Sequence, residues 1–226
     1  SYRSTSFKLG AQYVIQFNKA NSQGLHELGH KSVTLGFTYT PNANLNSVSS
    51  RLYRRLSPVS SATDTITYES DIESGGTMPS EMGFGLTFES LGKLRVSAEY
   101  LQTRWSEYKN AAKVEQFSDT RRMAFGVEFI PDIQSYNNNW RRARYRLGVF
   151  HAEDPRSNNG QQLTNYGVTL GVGIPIILPR QTTSYVNMAL EAGRFGATDG
   201  LRETYVQLHF GLTLNDSSWF FKRKFN

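Results

Sequence analysis

The sequence predicts an all-β fold, an antiparallel up-and-down transmembrane β-barrel. About eleven stretches of roughly ten residues alternate polar and apolar side chains from one end of the chain to the other. No convincing amphipathic helix lies between them, and no apolar run approaches the ~18–20 residues of a spanning helix. Because strand side chains point alternately to opposite faces, each stretch has one apolar side and one polar side. A tilted strand of ~9–11 residues can cross an outer membrane.

The first stretch shows the alternation best. Phe7, Tyr13 and Phe17 fall on one parity, and Lys8 and Gln12 fall on the other. The other strands follow the same rule, although alternation is weakest in the third and fourth. The predicted strands are 6–18, 31–40, 47–56, 64–70, 81–89, 93–103, 120–130, 144–151, 164–174, 184–193 and 203–214.

Turn residues separate these strands. Ser90, Leu91 and Gly92 predict a tight hairpin, and the Asn- and Ser-rich segment 155–160 predicts a longer loop. A soluble β-sandwich or lipocalin-like barrel also alternates and is the competing interpretation. It is disfavoured because the strands are long and numerous and the apolar parity carries Tyr, Phe and Leu repeatedly. We therefore expect residues 1–226 to form a single outer-membrane barrel domain.

Composition is compatible with this fold. The chain has 226 residues, 38% of them hydrophobic, and a mean hydropathy of −0.49. A barrel tolerates such low values because only every second strand residue meets lipid. Cysteine is absent, so disulfides and thiolate metal sites are excluded. No catalytic constellation stands out, and we expect no enzyme activity, no cofactor and no metal.

One pentapeptide points toward zinc chemistry. Residues 26–30 match the H-E-x-x-H motif of zinc proteases, in which both histidines project from one helix face. Here the motif lies between two alternating strands, with Gly24 before it and Gly29 inside it. The remaining histidines, His151 and His209, have no familiar third-ligand spacing. A hairpin loop is the preferred interpretation.

Net charge is +6 and the isoelectric point is about 9.5. The arginines lie on several alternating segments rather than on one helix, which disfavours a nucleic-acid partner. A cationic rim against anionic outer-membrane lipid and lipopolysaccharide, or a charge network inside the lumen, explains them more simply.

A group of motif residues in the central part of the chain resembles the FadL-type family of long-chain fatty-acid transporters. A proline precedes a glycine-alternating strand, a short hairpin leads to a strand with an acidic–aromatic pair, and Trp-Ser with a second aromatic follows. The end of the chain, 165–175 and 219–224, is similar to a divergent branch of such barrels. The motif residues are Pro79, Gly83, Gly85, Glu99, Tyr100, Trp105, Ser106 and Tyr108.

This resemblance implies a barrel of about fourteen strands with an N-terminal plug, which passes hydrophobic molecules through the outer membrane. The chain departs from that pattern because only about eleven strands are visible and no plug-like segment precedes Ser6. We therefore expect the sequence either to be the later part of a longer protein that also contains the N-terminal strands and plug, or to complete its barrel with a component outside this sequence.

Parity assigns two groups of candidate functional residues. If the apolar side faces lipid, a network of charged residues faces the lumen, where it either rigidifies the barrel or contacts a ligand carboxylate. Tyrosine and tryptophan favour the interface between lipid and water. The lumen candidates are Arg95, Glu99, Arg122, Glu128, Arg144, Arg146, Glu191 and His209, and the interfacial aromatic candidates are Tyr13, Tyr39, Tyr100, Tyr166, Trp219 and Phe220.

Two functions remain open at this point. The favoured one is passive transport of hydrophobic small molecules such as fatty acids across the bacterial outer membrane. The alternative is a non-transporting barrel that serves as a scaffold or accessory subunit of an envelope secretion or assembly complex, with other envelope proteins as partners.

Overall fold

A computed structural model describes residues 1–17, 28–56, 63–111, 115–158, 160–177, 183–197, 200 and 202–213. The described chain is all-β and its strand pairings are antiparallel, which confirms the coarse fold class. The elements are β1 (Tyr2–Ser4), β2 (Leu9–Gln16), β3 (Lys31–Thr40), β4 (Ala43–Leu56), β5 (Thr63–Met78), β6 (Glu81–Ser90), β7 (Leu94–Thr103), β8 (Lys109–Asn110), β9 (Thr120–Phe129), α1 (Asn139–Arg142), β10 (Arg144–Asn158), β11 (Gln161–Ile177), β12 (Thr183–Gly196) and β13 (Arg202–Thr213).

Nine of these strands form one sheet, the main sheet, in the order β13-β12-β11-β10-β9-β7-β6-β3-β2. Each strand pairs antiparallel with the next one in the order. The predicted hairpin joins β6 to β7, where Lys93 N–H donates to Ser90 O at 3.0 Å and Gly92 has a φ of 75°. Glycine suits that left-handed position because it has no Cβ.

The main sheet is not closed into a barrel within the described residues, so the predicted closure is not reproduced. Its two outer strands are β2 and β13. Eight successive antiparallel pairings separate them. Because each pairing reverses direction, β2 and β13 run the same way, and antiparallel pairing between them is impossible. An antiparallel barrel closes on itself with an even number of strands.

The predicted strands 47–56 and 64–70 exist but lie outside the main sheet. They belong to β4 and β5, which pair with β1 and β8 in a second sheet of order β1-β4-β5-β8. The β4–β5 ladder is interrupted by register shifts at Ser49/Arg51 and Tyr53/Arg54. Those irregularities break the strict alternation, which explains why the sequence pattern was weakest there. The paired strands β4 and β5 lie between β3 and β6 in the chain, and they extend from one end of the main sheet.

The loop predicted at 155–160 is wrong for its first residues. β10 continues through Pro155 to Asn158, and β11 begins at Gln161. The pairing shifts register between Glu153 and Ser157, so Pro155 lies in the irregular stretch, where proline is tolerated. Its carbonyl accepts a hydrogen bond from Ser118 N at 3.0 Å.

A compact cluster secures the β7–β9 connection against the sheet. The rings of Trp105, Tyr108 and Phe117 contact one another with centroids 5.3–6.0 Å apart. The Ser80 hydroxyl donates to Glu107 Oε2 at 2.8 Å. The Trp-Ser-x-Tyr motif noted in the sequence, residues 105–108, therefore has a packing role in the connection between β7 and β9. The apolar and polar contacts hold it at the end of the sheet where β4 and β5 extend.

Asp119 completes this cluster. Its Oδ1 accepts a hydrogen bond from the Ser106 backbone N–H at 2.9 Å, and this contact holds the pKa of Asp119 below its ordinary value. Its backbone oxygen accepts from Gln162 Nε2 at 2.8 Å. The connection is therefore tied to β11 as well as to Ser80, the residue before β6.

The main sheet buries little apolar surface against protein. Among the described residues, the buried apolar side chains are only Leu45, Ile130, Ala143 and Ala197. Large apolar side chains on the sheet are mostly exposed. No helix in the described part of the chain has the length and apolar character needed to cross a bilayer.

The contact between β5 and β8 yields a stability prediction. A Cβ added at Gly76 would lie 2.1 Å from the Lys109 carbonyl oxygen, whereas one at Gly75 would meet nothing within 4 Å. We expect Gly76→Ala to separate β8 from β5 at a cost of roughly 1–3 kcal/mol, the usual range for overpacking. Hydrogen exchange of residues 108–111 should accelerate in this variant. Gly75→Ala is the matched control, and equal exchange in the two variants would contradict the contact.

Candidate protein and lipid interface

One face of the main sheet, the apolar wall, carries apolar side chains across all nine strands. The register aligns them into rows that run perpendicular to the strands. Two adjacent rows are apolar at every position. The first row is Ile15, Val33, Phe88, Val96, Val127, Leu147, Leu170, Leu190 and Leu208, and the second is Tyr13, Leu35, Leu86, Ala98, Phe125, Val149, Val168, Ala192 and Val206.

The apolar wall is exposed, in contrast to the apolar side of a soluble β-sandwich. Phe84, Phe125 and Phe210 are 50%, 48% and 70% exposed, and Phe7 at the start of the chain is 63% exposed. On the seven strands between β2 and β13, the opposite side is mostly half-buried, whereas the two outer strands are exposed on both sides. The soluble interpretation needs these phenylalanines inside a protein core, and the structure leaves them outside. Such an area requires lipid or another protein against it.

A broad groove lies in the apolar wall near the strand ends from which β4 and β5 extend. It encloses about 910 Å³ between β2 and β10. The rings of Phe37 and Phe84 line it, with their centroids 5.1 Å apart. Tyr100, Met123 and His151 also line the groove. Its surface is therefore mostly aromatic and aliphatic, with few groups that could orient a polar ligand.

The predicted interfacial tyrosines gather toward this end of the apolar wall. Tyr100 and Tyr166 lie at the same level of the sheet, because Met123 faces both Tyr100 and His151, and His151 faces Tyr166. Tyr39 lies one level farther out and Tyr13 one level farther in. Trp219 and Phe220 lie outside the described residues.

A polar rim bounds the apolar wall at the same end. The outermost row on this face consists of Tyr39 on β3, Met82 on β6, Gln102 on β7 and Arg121 on β9. It therefore becomes polar and then charged from one strand to the next. Arg194, which pairs with Tyr166, is exposed there. This transition from apolar to amphipathic and charged residues is typical of a lipid–water boundary.

The opposite side, the polar face, carries a row of alternating charges across four neighbouring strands. Glu89 faces Arg95, Arg95 faces Glu128, and Glu128 faces Arg146. Arg95 Nη2 lies 2.7 Å from Glu89 Oε1, and Arg146 Nε lies 2.8 Å from Glu128 Oε2. We call these four residues the charge ladder. Arg146 Nη1 also donates to Asn187 Oδ1 at 2.9 Å.

All eight predicted lumen residues lie on the polar face, but only three belong to the charge ladder. Arg144 lies one level beyond it, where its guanidinium donates to the Tyr185 hydroxyl at 3.0 Å and lies 4.2 Å from that ring centroid. The other four are dispersed. Glu99 faces Gly85 and Ala124, Arg122 faces Leu101 and Ala152, Glu191 faces Thr169 and Gln207, and His209 faces Ala189.

Sequence parity missed the aromatic cover over two glycines of the polar face. Phe150, Gly167, Gly193 and Tyr205 occupy one row. An added Cβ would lie 2.9 Å from the Phe150 ring at Gly167 and 2.6 Å from the Tyr205 hydroxyl at Gly193. The Tyr205 hydroxyl also lies 3.0 Å from Asn165 Oδ1 and 3.1 Å from Glu191 Oε1. The available signal in the sequence was the aromatic residue on the polar parity, at Phe150 and at Tyr205.

Glu89 of the charge ladder was also missed, although it shares the parity of Gly83 and Gly85.

Of the zinc-protease match, His26 and Glu27 lie outside the described residues. In the part of the chain that the structure describes, no group of three or more His, Asp or Glu side chains could hold a metal.

The sequence model of the BamG family matches residues 1–226. The chain belongs to the BamG family. The match covers the whole chain and overturns the FadL-type resemblance, because strand alternation and glycine spacing are shared by barrels of many families. No curated protein and no solved structure matches the chain.

The charge ladder yields a prediction on stability. In a double-mutant cycle, Glu128→Ala and Arg146→Ala should show a coupling energy of about 0.5–1 kcal/mol, because the two charges face each other across neighbouring strands. Urea unfolding in detergent measures it. Glu128→Ala with Arg122→Ala is the control, since Arg122 is on the same strand at its other end. Equal couplings in the two cycles would refute a role for the ion pair.

Proposed function

We propose that this chain is a non-enzymatic accessory subunit of the BAM complex at the bacterial outer membrane. Its apolar wall faces outer-membrane lipid, including lipopolysaccharide, and its sheet supports neighbouring envelope proteins. The proposal corresponds to the scaffold alternative from the sequence. Family membership supports the association with the BAM complex. The exposed apolar wall is the single observation that carries the membrane placement.

The dimensions of the apolar wall support a lipid environment. On β11, Tyr166, Val168, Leu170, Val172 and Ile174 alternate on this face. Eight residue steps cover roughly 26 Å along a strand. A tilt of about 40° reduces this to roughly 20 Å, close to the ~25 Å apolar band of outer-membrane barrels. The tyrosines and the polar rim then lie at one boundary of the bilayer.

The polar face supports a scaffold better than a transport path. The four charge-ladder residues are engaged in ion pairs with one another, and the aromatic rings of Phe150 and Tyr205 cover Gly167 and Gly193. Passive transport of fatty acids was predicted from the FadL-type resemblance, which the family match has removed. Transport therefore has no supporting observation.

Co-purification tests the association. The full chain, tagged and expressed in its native cells, should retain the BAM subunits in stoichiometric amounts after the outer membrane is dissolved in mild detergent. A tagged unrelated outer-membrane protein is the control. Recovery of the chain without BAM subunits, under conditions that keep the complex intact, would overturn the proposed function.

Two neighbouring substitutions on β3 test the orientation of the apolar wall. Leu35 lies in the second apolar row, whereas Thr34 points to the polar face. An arginine facing lipid costs roughly 2–4 kcal/mol near the bilayer midplane. Leu35→Arg should therefore reduce the amount of chain recovered in the outer membrane at least tenfold.

Thr34→Arg is the matched control, because it adds the same charge one residue away on the opposite face. Immunoblots of fractionated membranes compare the two variants. Equal recovery of the two would show that lipid does not contact the apolar wall.

A further inference from the structure

The direction of the outer strands limits what can complete the main sheet. β2 and β13 run the same way, and no described strand pairs with the outer side of either one. An outer strand leaves every second residue with an unpaired backbone N–H and C=O. In hydrocarbon each such group costs several kcal/mol. The outer edge of β13, with twelve residues from Arg202 to Thr213, is the longer of the two.

We infer that β13 binds a β-strand of another envelope protein, which runs antiparallel to β13 and continues the main sheet. The inference rests on the proposed function, because it takes the chain to be oriented in a membrane beside partner subunits. It identifies the partner by its chemistry, an extended segment that supplies main-chain hydrogen bonds. Strand addition of this kind combines backbone bonding with side-chain specificity.

A second copy of the chain does not fit this edge. Copies inserted into one membrane share one orientation, so β13 of one copy runs parallel to both β2 and β13 of the next. Antiparallel pairing therefore needs a strand that crosses in the opposite direction. A partner that fills the whole gap between β13 and β2 must contribute an odd number of strands, because its first and last strands both run opposite to β13 and β2.

The two sides of β13 define the alternation of the bound strand. Val206, Leu208 and Phe210 point to the apolar wall, and Gln207 and His209 point to the polar face. The partner strand should be about ten residues long. It should place apolar residues beside Leu208 and small or polar residues beside His209. Proline should be absent from its interior, because it lacks the amide donor.

Hydrogen exchange tests the inference directly. The full chain is measured within the purified BAM complex and alone in the same detergent. About half of the β13 amides between residues 204 and 212 should exchange at least tenfold more slowly in the complex. Amides of β7, which has strands on both sides, are the control and should not change. Unchanged β13 exchange in an intact complex would overturn the inference and leave the proposed function standing.

Two further results separate the explanations. Protection of the β13 edge in the isolated full chain would show that the chain covers it by itself, which would also overturn the inference. Failure of BAM subunits to co-purify would instead remove the proposed function. The two failures are therefore distinguishable.

Proline substitutions add a backbone-specific test. Along a strand the N–H groups point alternately to the two neighbouring strands, so one of Gln207 and Leu208 donates outward and the other donates toward β12. Of Gln207→Pro and Leu208→Pro, one should therefore leave the β12–β13 ladder intact and reduce recovery of the partner at least tenfold. Equal partner recovery by that variant and the unsubstituted chain would refute strand addition.

The absence of cysteine allows a clean cross-linking test. Leu208→Cys places one thiol at the edge, and Leu147→Cys places one in the same row near the middle of the sheet. A short thiol-reactive photo-cross-linker, which reacts with C–H bonds of neighbouring apolar residues, should join the first variant to a BAM subunit and the second to none. A disulfide-linked dimer of the Leu208→Cys variant as the main product would identify a second copy as the occupant and overturn the inference.

Discussion

Strand register is the constraint on which the structure depends. Side chains alternate with a period of two, so a slip of one residue in any pairing would transfer that strand's apolar residues to the other face. Eight consecutive pairings keep the same parity, and this agreement produces two apolar rows across nine strands. The charge ladder lies on the opposite face of the same register. Glu128 meets both Arg95 and Arg146 only when its apolar neighbours Val127 and Phe129 face the wall.

The alternation in the sequence predicted which face each side chain occupies, but it could not predict how neighbouring strands align or how the sheet ends. All eleven predicted strands occur, and the parity of Phe84, Phe125 and Phe210 is as expected. Parity, however, carries no information on which strands share a sheet. β4 and β5 alternate poorly because of their register shifts, and they leave the main sheet together. Because β4 and β5 leave as a pair, β6 still runs opposite to β3. The antiparallel order of the main sheet therefore continues directly from β3 to β6.

For the candidate site, too, the sequence predicted the face on which each residue lies but not its contacts. Parity placed the eight charged residues on one face, yet the contacts among them depend on distance along the strands. Arg95, Glu128 and Arg146 share a level, whereas Glu99 and Arg122 lie at other levels opposite small or apolar residues. The polar parity of Tyr205 could be read from the sequence, but its contact with Gly193 could not, because that glycine lies on the neighbouring strand. The FadL-type resemblance failed for a related reason, since glycine alternation beside a proline is a property of barrel strands in general.

The groups of this sheet that lack a protein partner within the described residues are the apolar side chains of the wall and the backbone groups of the outer strands. They indicate which surfaces interact with other components. On the polar face, the charge-ladder residues pair with one another and aromatic rings cover Gly167 and Gly193, so this part of the face satisfies its own bonding capacity. The apolar wall and the outer edges do not. A lipid bilayer satisfies the wall because acyl chains need no directional contact, but it cannot satisfy a strand edge, which requires donors and acceptors at fixed spacing. A protein strand meets both requirements at once, and this is the physical basis of the strand addition proposed for the edges that the described residues leave open.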